Sequence, residues 1–185
     1  GFALARAALD AGADVVLISG PVALGTPEGA TRIDVTSADE MLAAALGHAP
    51  SADVFIGAAA VADYRPAAVN AQKIKKSEDT IQLSLVRNPD IIADIAALPD
   101  RPRLMVGFAA ETERLIDHAR GKLERKKLDF VIANDVSDAD IGFNSDANRV
   151  SVIDRDAVVE LPTTSKHVLA ARLVALFAEQ LDTRE

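Results

Sequence analysis

An α/β fold with a mostly parallel sheet and helices on both of its faces is what this sequence predicts, and three observations carry the prediction. Short apolar runs alternate with segments of helical spacing along the whole chain. Those runs are rich in Val, Ile and Ala and nearly continuous, as strands buried on both faces must be. The 185 residues show no internal repeat or linker, so they fit one domain large enough to bury a core.

Taken in order, Phe2, Leu4, Ala5, Ala8 and Leu9 recur at helical spacing, Gly12 ends that helix, and Val15 to Ile18 form a strand. A helix feeding a buried parallel strand normally follows an earlier strand through a glycine-rich turn. The chain opens at Gly1 without Met or such a strand, and it reads as the remainder of a longer protein, with Gly1 the last glycine of a phosphate-binding turn. A Gly/Pro loop over residues 20–30 leads to a short β-like run at 31–35, and Thr36-Ser37 opens a helix to about Leu46. The next strand is "DVFIGAAA", 53–60, followed by irregular chain over 61–77. "TIQLSLV", 80–86, alternates, with Ile81, Leu83 and Leu85 on one side, and predicts a strand with one wet face. Residues 61–86 therefore form a flap or arm off the sheet.

Asn88-Pro89-Asp90 supplies a cap, a proline at the first position and an acid in the first turn of a helix. A strand at 103–111, a helix at 112–127 and a strand at 129–135 follow. A loop over 137–149, a strand at 150–154 and a helix from Pro162 to about Leu181 close the chain.

Composition excludes several functions. A net charge of −8 and a single tyrosine, Tyr64, with no tryptophan, argue against nucleic-acid binding and against an anionic membrane surface. The absence of cysteine removes disulfides and thiolate chemistry, and His48, His118 and His167 lack metal-ligand spacing. No apolar run is long enough to span a bilayer, which predicts a cytoplasmic domain.

Ligands of such folds bind beyond the carboxyl ends of the strands. Small residues stand at three of these ends: Gly57-Ala58-Ala59-Ala60 running to Asp63, Gly107-Phe108-Ala109-Ala110-Glu111, and Ala133-Asn134-Asp135. They either let a ligand approach the backbone or pack under helices. On the wheel of the 112–127 helix, Leu115, Ile116, Ala119 and Leu123 make the buried stripe, with Lys126 inside it and Lys122 at its margin. These lysines either compensate the helix dipole or reach over the sheet toward a phosphate. Lys73, Lys75 and Lys76 follow a strand end within a few residues of Asp63. Several cations and an acid at a Gly/Ala-rich strand end suit a strongly anionic, nucleotide-like ligand with a metal ion.

The motifs "GAAAVADYRP", "KIKK", "NPDI", "VGFAAET", K-x-x-x-K-x-L-D and "IANDV…GFNSD-x-N" occur in order over residues 57–148. Together they make the chain resemble phosphopantothenate–cysteine ligase (phosphopantothenoylcysteine synthetase) of the bacterial, CTP-using type. The resemblance implies a Rossmann-like three-layer sandwich, a single ligase domain over residues 1–185, and a homodimer. It also implies a fused or associated flavin-dependent decarboxylase. It implies 4′-phosphopantothenate, L-cysteine and CTP as substrates, Mg2+ as the metal, and an acyl-cytidylate intermediate.

Carried over motif by motif, Lys73 is the catalytic lysine and a CTP contact. Gly57, Ala58, Ala59, Asp63, Pro89, Asp90, Ile91, Ile92, Phe108, Lys122 and Lys126 contact CTP, and Ala59 and Ala60 meet the acyl intermediate. The family's metal ligands do not carry over. Its glycine-rich turn would precede Gly1, so this polypeptide is expected to fold and dimerise with weak or no activity. Three other readings stay open: an ATP-using relative, a Rossmann-type NAD(P) oxidoreductase and a non-catalytic nucleotide-binding module.

Overall fold

The computed structural model describes residues 1–69, 72–74, 80–111, 115–135 and 147–183. Its centre is a five-stranded sheet in the order β3-β6-β7-β8-β9, comprising Val54–Gly57, Leu104–Glu111, Phe130–Asp135, Ala147–Ile153 and Val158–Ser165. β3, β6 and β7 run parallel, while β8 and β9 join antiparallel, so the sheet is mixed where a mostly parallel one was expected. A tight return at Asp154, whose carboxylate accepts from the N–H groups of Asp156 and Ala157, allows the antiparallel hairpin. β1 (Val16–Ser19) and β2 (Thr31–Asp34) form a separate parallel pair.

Alternation along the strands divides the core. Leu104, Val106, Phe130, Ile132, Val150 and Val152 face α1 (Phe2–Asp10) and α5 (Lys166–Asp182), which contribute Leu4, Leu169, Leu173 and Phe177. Met105, Ala109, Val131, Ala133 and Ile153 face the other way. There they meet α2 (Ala38–His48), α3 (Ile91–Ala96) and α4 (Leu115–Arg125) through Ala45, Ile95, Ala119 and Leu123. Helices thus cover both faces. Among the described residues, no helix is long and apolar enough to cross a membrane.

Several boundaries differ from expectation. β3 ends at Gly57, leaving Ala58, Ala59 and Ala60 beyond it. Of the strand expected at 80–86 only Leu85–Arg87 forms (β5), paired antiparallel with Tyr64–Pro66 (β4). Ile81 and Leu83 are each 64% exposed, because the arm leaves the sheet and no surface of the described chain covers them. The last helix begins at Lys166, capped by Ser165, and Pro162 belongs to β9. That strand is an edge, and its register shifts beside Pro162, where a missing N–H removes no ladder bond. On α4, Ile116 is exposed although the wheel placed it in the stripe. Residues 136–146, most of the expected 137–149 loop, lie outside the described residues, as do Lys75 and Lys76. Asn148 and Arg149 are strand residues of β8.

Two local devices fix helix ends. Ser37 and Glu40 form a capping box on α2: Ser37 Oγ accepts from Glu40 N–H at 3.1 Å, and Glu40 Oε2 accepts from the N–H of Ser37 at 3.2 Å and of Thr36 at 2.7 Å. The Thr36 N–H is the chief cause of a Glu40 carboxyl held below its ordinary range, followed by the Thr36 hydroxyl and the Ser37 N–H. α4 ends in paired bonds, Leu128 N–H to Leu123 O at 2.9 Å and Lys127 N–H to Glu124 O at 3.2 Å. This closure needs a left-handed residue, and Lys127 takes that place at φ 52°.

Replacing Lys127 by glycine removes the Cβ strain and should raise stability by about 1 kcal/mol, a Tm gain of about 2–4 °C for a chain of this size. The depressed Glu40 carboxyl contributes stability above its unfolded pKa that is lost as pH falls through the folded one. Glu40→Ala should therefore melt below wild type at pH 7, and the deficit should shrink as pH falls through the folded-state pKa of Glu40.

Candidate functional site at the carboxyl ends of the parallel strands

Gly57 of β3 stands opposite Gly107 of β6 in the parallel register. A Cβ on Gly57 would lie 2.8 Å from Ile92 Cδ1, and one on Gly107 would lie 2.8 Å from Leu128 Cδ1 and 3.2 Å from Ile92 Cδ1. Two adjacent strands thus share a bare patch on which Ile92 rests. Of the two readings left open for these glycines, packing beneath a helix holds at both. The accessible part of the strand end is Ala59 and Ala60, which are exposed.

Ile92 belongs to the first turn of α3, whose N-cap is Asp90; its Oδ1 accepts from Ala93 N–H at 3.3 Å. The cap therefore sits two residues later than the Asn88 start expected, and Pro89 precedes it. Asn88 has a different task. Its N–H donates to Asp63 O at 2.8 Å, its Nδ2 donates to Ala62 O at 2.8 Å, and its Oδ1 accepts from Arg65 Nη1 at 2.9 Å. Arg65 also donates to Arg87 O at 3.2 Å and pairs with Asp39 of α2 at 3.3 Å. These bonds tie the base of the arm to α3 and α2.

Sequence reasoning assigned neither Asn88 nor Arg65 a part in building the site. Their partners lie 22 to 26 residues away, and no local pattern announces them.

From the other side comes α4. The half-buried Lys122 side chain passes Gly107, its Cε 4.0 Å from where a Cβ would stand, and its Nζ donates to the carbonyl of Phe108. One turn on, Lys126 Nζ lies 2.7 Å from Asp90 Oδ2 and 2.9 Å from Oδ1. Both lysines therefore point to the strand ends and not back along their own helix. Phe108 is half-buried, and its ring packs toward the α1/α5 side.

The structure thus gathers Gly57, Asp90, Ile92, Gly107, Phe108, Lys122 and Lys126 into one cluster, with Pro89 and Ile91 flanking Asp90. Asp63 is joined through its main chain; its exposed carboxylate makes no hydrogen bond or ion pair among the described residues. Lys73 is exposed, and no bond among the described residues ties it to the cluster. At the third strand end, buried Asn148 donates through Nδ2 to Asn134 Oδ1 at 3.2 Å. No group of three or more metal-ligating side chains occurs among the described residues.

Such a fold is an α/β domain with helices on both faces of a mixed sheet and two lysines directed at the ends of its parallel strands. The chain belongs to the family described as DNA/pantothenate metabolism flavoprotein C-terminal domain, whose model matches residues 1–181. It is 51% identical over 183 residues to the coenzyme A biosynthesis bifunctional protein CoaBC of Vibrio cholerae, covering 98% of this chain and 46% of the relative. The CoaBC of Escherichia coli is 45% identical over 187 residues, covering 100% of this chain and 46% of that protein. The chain therefore spans just under half the length of these relatives. A crystal structure of the C-terminal domain of CoaBC superposes with a TM-score of 0.82 at 34% identity, covering 99% of this chain and 82% of that one. The ordered motifs pointed to this family.

The bare patch is testable. Gly57→Ala should lower stability by about 1–3 kcal/mol through overpacking against Ile92. Ile92→Val, which deletes the clashing Cδ1, should restore most of that loss in the double variant. Additive losses in thermal melts would contradict the contact as described.

Proposed function

We propose that this chain is a phosphopantothenate–cysteine ligase domain of coenzyme A biosynthesis, spanning residues 1–185 as one unit and using CTP. In this reading a carboxylate oxygen of 4′-phosphopantothenate attacks the α-phosphorus of CTP, and pyrophosphate leaves. The amine of L-cysteine then attacks the acyl carbon of the acyl-cytidylate, releasing CMP and forming phosphopantothenoylcysteine. The observation that carries the proposal is the convergence of Ile92, Lys122 and the Asp90–Lys126 pair on the Gly57–Gly107 strand ends, in a chain whose family is that of the CoaBC C-terminal domain.

Each residue then has a task. Gly57, Ala58 and Ala59 line the nucleotide, and the exposed Ala59 and Ala60 meet the acyl intermediate, where small side chains leave room. The chain from Pro89 to Ile92 borders the nucleotide at the start of α3, with the main chain of Phe108, which Lys122 meets, beside it. Lys122 and Lys126 place positive charge over the strand ends. Lys73 stabilises the charge that develops as pyrophosphate departs, brought in by the arm. Holding two anions together is itself a large part of the rate.

Magnesium would offset triphosphate charge. It takes few protein ligands and binds chiefly through phosphates and water. The exposed Asp63 carboxylate is the residue that suits it.

A homodimer belongs to the same reading. The arm exposes Val69 at 90% and Ile74 at 51%, beside Ile81, Leu83 and Leu85, apolar surface that a second copy would cover. The relatives are named bifunctional and extend well beyond the matched region, which supports an associated flavin-dependent decarboxylase. The setting is cytoplasmic.

The test is a thermal-shift titration with CTP, ATP and NADPH, each with magnesium. CTP alone should raise Tm, and Lys126→Ala should weaken that shift. Lys73→Gln should weaken the shift less than Lys126→Ala does, and in a polypeptide extended N-terminally from Gly1 it should lower the rate of CMP release at least about 100-fold. Stabilisation by NADPH and not by CTP would replace the ligase reading with an oxidoreductase.

A further inference from the structure

Asp90 performs two tasks with one carboxylate. Oδ1 caps α3 through Ala93 N–H, and the two oxygens together hold Lys126 Nζ at 2.9 and 2.7 Å. The pair spans 36 residues of sequence and joins the end of α4 to the first turn of α3. Those are the two elements that carry Lys122 and Ile92. The Lys126 side chain is 20% exposed and that of Asp90 48%, so the pair lies at the surface of the cluster. Ion pairs this open contribute little to stability. What the pair does supply is orientation. A lysine just past a helix end samples many rotamers, and a bidentate carboxylate removes that freedom. An ammonium has three N–H donors; with two directed at Asp90, the third has a defined direction. The acid also offsets its own repulsion of an incoming phosphate, because Lys126 neutralises it.

We propose that Asp90 is a positioning residue for nucleotide binding. It acts through Lys126, whose ammonium it holds at the first turn of α3 with one N–H left for a phosphate oxygen of a nucleoside triphosphate. This rests on the ligase reading and assigns Asp90 an indirect part in it.

Asp90→Ser separates the two tasks, since serine caps a helix as well as aspartate but cannot pair with lysine. The measurement is the Kd for CTP with magnesium, by calorimetry, in wild type, Asp90→Ser, Lys126→Ala and the double variant, with unliganded Tm recorded for each. Asp90→Ser should leave Tm near wild type and weaken CTP about fivefold, within the coupling expected of groups in contact. On the Lys126→Ala background the same change should leave Kd unaltered or improve it. Equal weakening on both backgrounds would overturn the proposal in favour of the helix cap. Tighter binding in Asp90→Ser with Lys126 intact would overturn it in favour of a merely competing anion. Failure of the wild-type chain to bind CTP would defeat the nucleotide reading itself, a result distinct from either.

Discussion

Ile92 lies across Gly57 and Gly107, and the rest of the site is placed by that contact. α3 has six residues, too few to hold a helix in water without tertiary help. Its position comes from Ile95, which is fully buried, and from Ile92 on the bare patch where two strands lack side chains. A methyl group on either strand would meet Ile92 Cδ1 at 2.8 to 3.2 Å and press on the first turn of α3, next to Asp90 and the anchor of Lys126. The glycines therefore act on the site from beneath. They let a helix start approach the strands closely, and that approach brings a cap, a carboxylate and a lysine to one place.

The sheet explains why the other contributions arrive at the same end. β3, β6 and β7 are parallel, so their carboxyl ends and the segments leaving them collect on one side. The antiparallel β8 and β9 extend the sheet away from this point and give α5 a surface, through Val150 and Val152, without adding to the crowd at the strand ends. The arm departs between β3 and α3, where Arg65 and Asn88 fasten its base. Beyond that base Ile81 and Leu83 are open to solvent, so the arm has a fixed root and an uncovered apolar length.

Much of this was legible in the residues. The helix at Ser37 declared itself through Thr36-Ser37, and the structure adds a capping box between Ser37 and Glu40. The β3, β6 and β7 runs were nearly continuous in apolar residues up to their ends because both their faces are covered. Lys122 and Lys126 stood out because a lysine on a core-facing stripe needs a partner, and each has one. The misreadings share a cause. Pro162 looks like a helix start, yet an edge strand tolerates proline as readily. Ile81, Leu83 and Leu85 alternate as a strand should, but alternation cannot tell a side chain facing a core from one facing outward on an arm. Small residues at strand ends suit a ligand and a helix equally; at Gly57 and Gly107 Ile92 fills the space, while Ala59 and Ala60 stay exposed.

Electrostatics resolves what first looks like a contradiction, an acidic chain that brings two lysines to its strand ends. A net charge of −8 is spread over the surface, and at physiological salt its field fades within about 8 Å. What an approaching phosphate meets at close range is set by the groups that reach the strand ends. Two of these are ammonium groups one helical turn apart, each oriented by an acceptor, a backbone carbonyl for Lys122 and the Asp90 carboxylate for Lys126. Orientation matters more than the count of charges, because a flexible lysine must lose its rotamer freedom on binding, and these have lost it in folding. The fold itself thus fixes both ammonium groups at the strand ends, one on a backbone carbonyl and the other on a carboxylate.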